Sequence, residues 1–229
     1  MTANIPVITI DGPSGTGKGT IAQLLADTLG WHLLDSGALY RIVAVGAADK
    51  SLKTNNIKEI CDFAAAMKVV FSTRFEGSIL LNGEEISFQV RLEETAELAS
   101  QVAAIPELRE VLLQRQRDFR LEPGLVADGR DMGTVVFPNA GAKFFLTASA
   151  EERAQRRYKQ LINKGVSVNL RALLQDINSR DERDANRKVS PLRPADDAVV
   201  IDTTTLTIEE VLEAVLIEVR AKMPEATAP

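Results

Sequence analysis

The 229-residue sequence has very few of the residues that build covalent or metal-centred sites: one cysteine, Cys61, and one histidine, His32. A single cysteine allows no disulfide within the chain, which fits a reducing compartment. The soft ligands of a protein-built zinc site are also missing. Cys61 is read as a buried small apolar residue, and His32, inside Trp31-His32-Leu33-Leu34, as a structural histidine. Aromatic residues make up only 5% of the chain, which counts against a single-strand nucleic-acid binder, because such proteins stack bases on rings. No apolar run approaches the ~20 residues that span a bilayer. Met1–Pro6 has neither the charged start nor the apolar block of a signal peptide. A cytoplasmic protein with no membrane partner is expected. Positive charge is in deficit too. The net charge is −5 and the pI about 5.1, which argues against duplex nucleic acid as a main partner. A local arginine cluster can still bind a small anion against that global sign.

What is present is ordinary for a globular protein with a sizeable core: 45% hydrophobic and 26% charged residues. The length suggests one domain, or one core with inserted subdomains. Val7–Ile10 is a short β-rich run ending in the turn signal Asp11-Gly12-Pro13. A helix follows from Lys18, with Ile21, Leu24, Leu25 and Leu29 at helical spacing and Gly30 as its stop. His32–Leu34 reads as a strand, and Ser36 as the cap of a helix carrying Leu39, Val43 and Ala47. Lys68–Ser72, Ser78–Leu81 and Glu85-Ile86, with a hairpin signal at Asn82-Gly83, suggest an antiparallel insert at about residues 62–90. Helices return over Leu92–Ala104 and Glu107–Phe119. Strands are expected at Leu125–Asp128, Lys143–Leu146 and Val199–Asp202, and two charged helices between Ala150 and Arg187. Thr207 and Glu210 form a capping-box pattern for a last helix, Ile208–Met223, and the tail Pro224–Pro229 is expected to fray. Strands alternating with helices predict an α/β fold, a parallel sheet covered on both faces.

Gly12-Pro13-Ser14-Gly15-Thr16-Gly17-Lys18 fits the G-x-x-x-x-G-K pattern, between an apolar strand and an amphipathic helix. Glycines let backbone N–H groups wrap phosphate oxygens, the helix start adds its positive end, and Lys18 reaches the outer phosphates. The segment implies ATP. The usual Ser or Thr after the lysine is replaced by Gly19, with Thr20 next. Either Thr20 takes over as magnesium ligand, or water and phosphate hold the Mg²⁺.

Two segments begin at strand ends: Asp35–Arg41 and Asp128–Thr134. Ligands of parallel sheets bind outside the carboxyl ends of strands, so both open towards the phosphate loop. Arg41, Arg130 and Arg187 suit a second phosphate, because a guanidinium fork grips two oxygens at once. Arg180, Asp184 and Arg187, at i, i+4 and i+7, share one face of a charged helix, where a solvated face with local ion pairs is the competing explanation. Asp131 and Asp184 are candidates for reading base or sugar groups, and Asp128 for supporting magnesium through water.

Together these segments resemble the bacterial cytidylate kinases, a branch of the nucleoside monophosphate kinase family. The shared features are Gly12–Thr20, Asp35–Arg41, Asp128–Pro138, Arg180–Arg187 and Pro191-Leu192, spread over almost the whole chain. Lysine followed by Gly-Thr is the form seen in that family. The resemblance implies a P-loop core with a five-stranded parallel sheet (1–35, 104–152 and 184–229). It also implies a monophosphate-binding subdomain (36–103) that carries the insert, and a lid (153–183). It further implies that Ser36, Ser100, Arg109 and Asp131 surround a cytosine ring and that Tyr40, Arg180 and Asp184 lie near the ribose. Arg41, Arg130 and Arg187 would hold the acceptor phosphate, and Arg153 and Arg157 would clamp the donor side. The implied reaction moves a phosphoryl group from ATP to CMP or dCMP, with Lys18, Arg130, Arg187 and Mg²⁺ neutralising charge. A monomer is expected. The alternatives are a UMP or AMP kinase, and a P-loop NTPase that switches a partner.

Overall fold

The structure, a computed structural model, describes residues 5–49, 56–72, 78–163 and 165–227. The chain runs through β1 (Val7–Asp11), α1 (Lys18–Leu29) and β2 (His32–Asp35). It continues through α2 (Ser36–Asp49), α3 (Ile57–Ala66), β3 (Val69–Ser72), β4 (Ser78–Leu81) and β5 (Glu84–Glu85). Then come α4 (Ser87–Val90), α5 (Glu93–Val102), α6 (Pro106–Arg117) and β6 (Leu125–Gly129). A π-helical turn over Met132–Val136 precedes β7 (Ala142–Thr147), α7 (Ala150–Asn163), α8 (Leu170–Ala185), β8 (Val199–Asp202) and α9 (Ile208–Lys222). Two compact units result: Met1–Asp35 with Arg117–Pro229, and Ser36–Gln116.

The first unit holds a five-stranded parallel sheet in the order β2-β6-β1-β7-β8. β1 is buried along its whole length, and its alternation sorts two chemistries onto two faces. Ile8 and Ile10 join Val126, Phe144 and Leu146 in an apolar core with Ile21 and Leu25 of α1 and Val211, Val215 and Val219 of α9. Thr9 and Asp11 point to the opposite face. β6 and β7 flank β1, and the chain reaches β2 on one side and β8 on the other, so the loop after β1 leaves from the point where the strand order diverges.

Local chemistry sets the helix ends. Gly30 closes α1 in a left-handed conformation, its N–H meeting the carbonyls of Ala26 and Asp27. α9 starts with the expected capping box: Thr207 N–H donates to Glu210 Oε2 at 2.8 Å and Glu210 N–H to Thr207 Oγ1 at 3.2 Å.

The second unit holds the antiparallel sheet β3-β4-β5. Its β4–β5 hairpin turns at Asn82-Gly83, both at positive φ (52° and 94°), as the residue pair predicts. α2 packs against α3 and α5 through a face that includes Leu39, Ile42 and Val43.

Four sequence expectations need correction. Ser36 is the first residue of α2 rather than its cap, because β2 runs directly into the helix and leaves Ser36 buried in the first turn. Cys61 is half-buried: the inward face of α3 is Ile60 and Ala64, at i and i+4, and Cys61 lies one position off it. α8 ends at Ala185, so Arg187 is not helical. The Asp184 carbonyl accepts from Leu192 N–H at 2.8 Å, which turns the backbone out of the helix. Pro224–Thr227 forms a 3₁₀ turn, with Ala226 packed on the core, and only residues 228–229 of the tail lie outside the described residues.

Candidate active site

The loop between β1 and α1 is shaped by close backbone approach. A Cβ on Gly12 would stand 2.1 Å from the Leu146 carbonyl oxygen of β7, so this position takes no side chain. Thr16 Oγ1 donates to the Pro13 carbonyl at 3.1 Å, and Lys18 Nζ donates to the same oxygen at 3.2 Å. The first turn of α1 contains no acidic residue of its own to offset the positive end of the helix.

Lys18 is buried. Burial pushes its ammonium down to about 8; Arg130 and Arg180 push the same way, against Asp128 and Asp35. Asp128, at the end of β6, answers in the opposite sense. Burial and then Asp35 drive its carboxyl up to about 6, against Lys18 and Arg130. Its Oδ1 is buried with no hydrogen-bond partner among the described residues. Its Oδ2 lies 3.2 Å from where a Cβ on Gly19 would be. Lys18 therefore sits in one electrostatic environment with two guanidiniums, Arg130 and Arg180, and two carboxylates, Asp128 and Asp35.

Asp184 is 1% exposed and lies between two guanidiniums. Arg130 Nε donates to Oδ2 at 3.0 Å, and Arg187 donates to Oδ1 in a short contact. Burial opposes the charge of Asp184, but Arg130, Arg187 and Arg180 outweigh it and hold the carboxyl below its ordinary range. The carboxylate thereby orients two arginines side by side.

Of the two expected donor-side arginines, the structure brings Arg153 onto the phosphate loop. Its side chain is buried, donates to Ser14 and Ala148 carbonyls at 3.2 and 3.0 Å, and grips Asp181 of α8 with both Nη atoms at 3.1 and 2.5 Å. Arg157 donates to Gln160 on its own helix at 3.3 Å. Thr20 is exposed.

The second unit carries the remaining candidates. Ser36, Tyr40, Ser100 and Arg109 are all buried. The Arg109 guanidinium lies 5.6 Å above the centre of the Tyr40 ring and donates to the Ala103 carbonyl at 3.1 Å. Ser100 Oγ is a buried hydroxyl with no hydrogen-bond partner among the described residues. Arg41 donates to the Val90 carbonyl at 3.1 Å.

The sequence model of the family described as cytidylate kinase matches residues 8–221. The chain belongs to the cytidylate kinase family. Cytidylate kinases of Shewanella denitrificans, Aeromonas salmonicida and Shewanella sediminis are 55%, 54% and 53% identical to it over 226, 224 and 230 residues. These matches cover 97%, 97% and 99% of this chain and 100%, 97% and 100% of the relatives.

For this cytidylate kinase family member, sequence reasoning passed over three residues beside the loop. Arg156 donates to the Thr16 carbonyl at 3.4 Å and to Thr203 Oγ1 and carbonyl oxygen at 3.2 and 2.6 Å. Thr203 Oγ1 also lies 3.0 Å from the Thr16 carbonyl. The i+3 spacing of Arg156 from Arg153 was a usable signal. Asp11 was read only as a turn residue, although the alternation of β1 sets it opposite Ile8 and Ile10.

Proposed function

We propose that the chain transfers the γ-phosphoryl group of ATP to CMP or dCMP, giving ADP and CDP or dCDP. The observation that supports this reading is the Gly12–Lys18 loop between β1 and α1, whose buried Lys18 lies within electrostatic reach of Arg130 and Arg180. Family membership names the acceptor. Gly12–Thr20 would cradle the donor phosphates, with Arg153 and Arg157 from a lid at 153–183. Arg41, Arg130 and Arg187 would take the acceptor phosphate. Ser36, Ser100, Arg109 and Asp131 would read cytosine, and Tyr40, Arg180 and Asp184 the ribose.

The acceptor phosphate is already an anion near neutral pH, its second pKa being about 6, so no general base is needed. Catalysis then consists of holding donor and acceptor in line and matching developing charge. Lys18, Arg130 and Arg187 would supply positive charge held in place before the reaction, Lys18 buried and the two arginines half-buried. Closure of the lid would exclude water as a competing acceptor.

Magnesium fits the residues present. Asp128 Oδ1 is an orphaned, buried hard oxygen, and magnesium commonly takes one or two carboxylates plus phosphates and water. Asp128, with the Thr20 hydroxyl as a second candidate, would hold it, and no three His, Cys, Asp or Glu among the described residues form a metal-holding group. When bound, the ion neutralises charge on the phosphates. No helix among the described residues is long and apolar enough to cross a membrane, and a cytoplasmic monomer is the state we propose.

An ADP-release assay with a panel of nucleoside monophosphates tests the reading. CMP and dCMP should give the fastest release. ADP release that ignores both would overturn it.

A further inference from the structure

Asp11 is the last residue of β1, the strand that feeds the phosphate loop, yet its side chain points away from that loop's helix. Its carboxylate is buried and spans two consecutive amides: Met132 N–H donates to Oδ1 and Gly133 N–H to Oδ2, both at 2.8 Å. These are the first two residues of the π-helical turn. The residue at the cap position of that turn, Asp131, makes no cap hydrogen bond with its own side chain. A carboxylate from another strand therefore does the capping.

The backbone of Asp11 fixes the other side of the same segment. Asp11 pairs with Gly129 in the parallel ladder between β1 and β6. Between Gly129, held by the Asp11 backbone, and Met132, held by the Asp11 side chain, lie only Arg130 and Asp131. The approach is tight. A Cβ on Gly133 would meet Thr9 Oγ1 at 2.9 Å, Lys143 Cδ at 3.2 Å and Asp11 Oδ2 at 3.4 Å.

The arrangement is costly for stability alone. Burial pushes the Asp11 carboxyl up to about 7, Asp131 and Asp128 push it further up, and the two amides pull it down. Lys143 of β7, whose Cδ comes close to Gly133, gives its ammonium to the Pro138 carbonyl at 2.6 Å and to Asp197 at 2.9 Å. An amide side chain would cost less to bury, but in the same pose it puts an NH2 donor where one of the two accepting oxygens stands, so one N–H group would face a donor. Two adjacent acceptors are what only the carboxylate provides.

We propose that Asp11 is a positioning residue that acts through Arg130: by bracketing Gly129–Gly133 it fixes where the Arg130 guanidinium meets the acceptor phosphate. This rests on the acceptor role given to Arg130 above. Asp11→Asn should raise KM for CMP about tenfold and lower kcat, while KM for ATP changes less than about twofold. In an Arg130→Ala background the same change should add less than about twofold, because the group it positions is gone. Gly133→Ala, which crowds its own amide away from Asp11 and leaves the carboxylate intact, should reproduce the CMP-selective loss. Equal changes in both KM values, or additive effects with Arg130→Ala, would overturn the proposal. So would loss of the folded state in both Asp11→Asn and Gly133→Ala, which would make the role structural only. A wild-type enzyme that ignores CMP overturns the functional reading and this proposal together. A CMP-dependent wild type with an unaffected Asp11→Asn overturns this proposal alone.

Discussion

The carboxylate of Asp128 occupies the ground that a side chain at position 19 would need, its Oδ2 standing 3.2 Å from the Cβ site of Gly19. This explains in physical terms why the lysine of the phosphate loop is followed by glycine here. Gly19→Ser should move Asp128 by a few tenths of an ångström and lower kcat about tenfold with little loss of stability. Steady-state kinetics beside a thermal melt check it; an unchanged kcat would mean that the placement of Asp128 does not matter to turnover.

Lys18 should take up a proton when ATP binds. Its pKa in the empty site is about 8, so at pH 8 about half of the molecules carry the neutral amine. Phosphate charge favours the ammonium form, and binding should draw about half a proton from the buffer. Titration calorimetry in two buffers of different ionisation enthalpy reads this directly. Lys18→Ala should lose both the uptake and most turnover. A buffer-independent heat for the wild type would sink the idea.

Removing Asp184 releases two arginines at once. Asp184→Ala should weaken CMP far more than ATP, since Arg130 and Arg187 lose their common anchor. It should also destabilise the fold by about 3 kcal/mol, because two half-buried guanidiniums are left without their buried counter-charge. Affinities measured separately for the two nucleotides, with urea unfolding, provide the comparison. Equal losses for both nucleotides would take Asp184 out of the acceptor site.

Stability should carry the signature of buried acids. Asp11 and Asp128 titrate at about 7 and 6 in the folded chain against an ordinary 3.8, so the folded state binds protons more tightly than the unfolded one across that window. Their contribution therefore makes the protein more stable as pH falls from about 8 to about 5. Asp184 has the opposite sign: its carboxyl is held low, and its contribution is lost as pH drops below the ordinary value. The urea midpoint of wild type minus Asp128→Asn, measured at pH 8 and 5.5, should grow towards the acid side. A pH-independent difference would contradict the raised value for Asp128.

Periodicity and turn chemistry made the individual strands of the parallel sheet, the antiparallel hairpin and the capping box of α9 legible in advance, because each depends on neighbours in sequence; the five-stranded sheet itself was implied by the family resemblance. Arg156 and Thr203 were not legible, since their partner, the Thr16 carbonyl, is 140 and 187 positions away and has no side-chain signature. Asp11 was hidden for a related reason. An Asp-Gly pair after a strand has a sufficient local explanation as a turn, and only the fold reveals the two distant amides its carboxylate spans. Arg187 was placed on a helix by spacing alone, and the bond from Leu192 to the Asp184 carbonyl ended that helix two residues early.

The Leu146 oxygen above Gly12 has a further consequence for how this chain tolerates mutation. A codon change at Gly12 forces a side-chain atom to within 2.1 Å of a main-chain carbonyl in the middle of a sheet, and a main chain cannot rotate aside as a side chain can. At Gly17 no atom of the described residues lies within 4 Å of where a Cβ would stand, so within the protein it is the left-handed backbone that resists replacement. In a randomised library sorted for folded protein, position 12 should return a single letter, while position 17 should also admit asparagine.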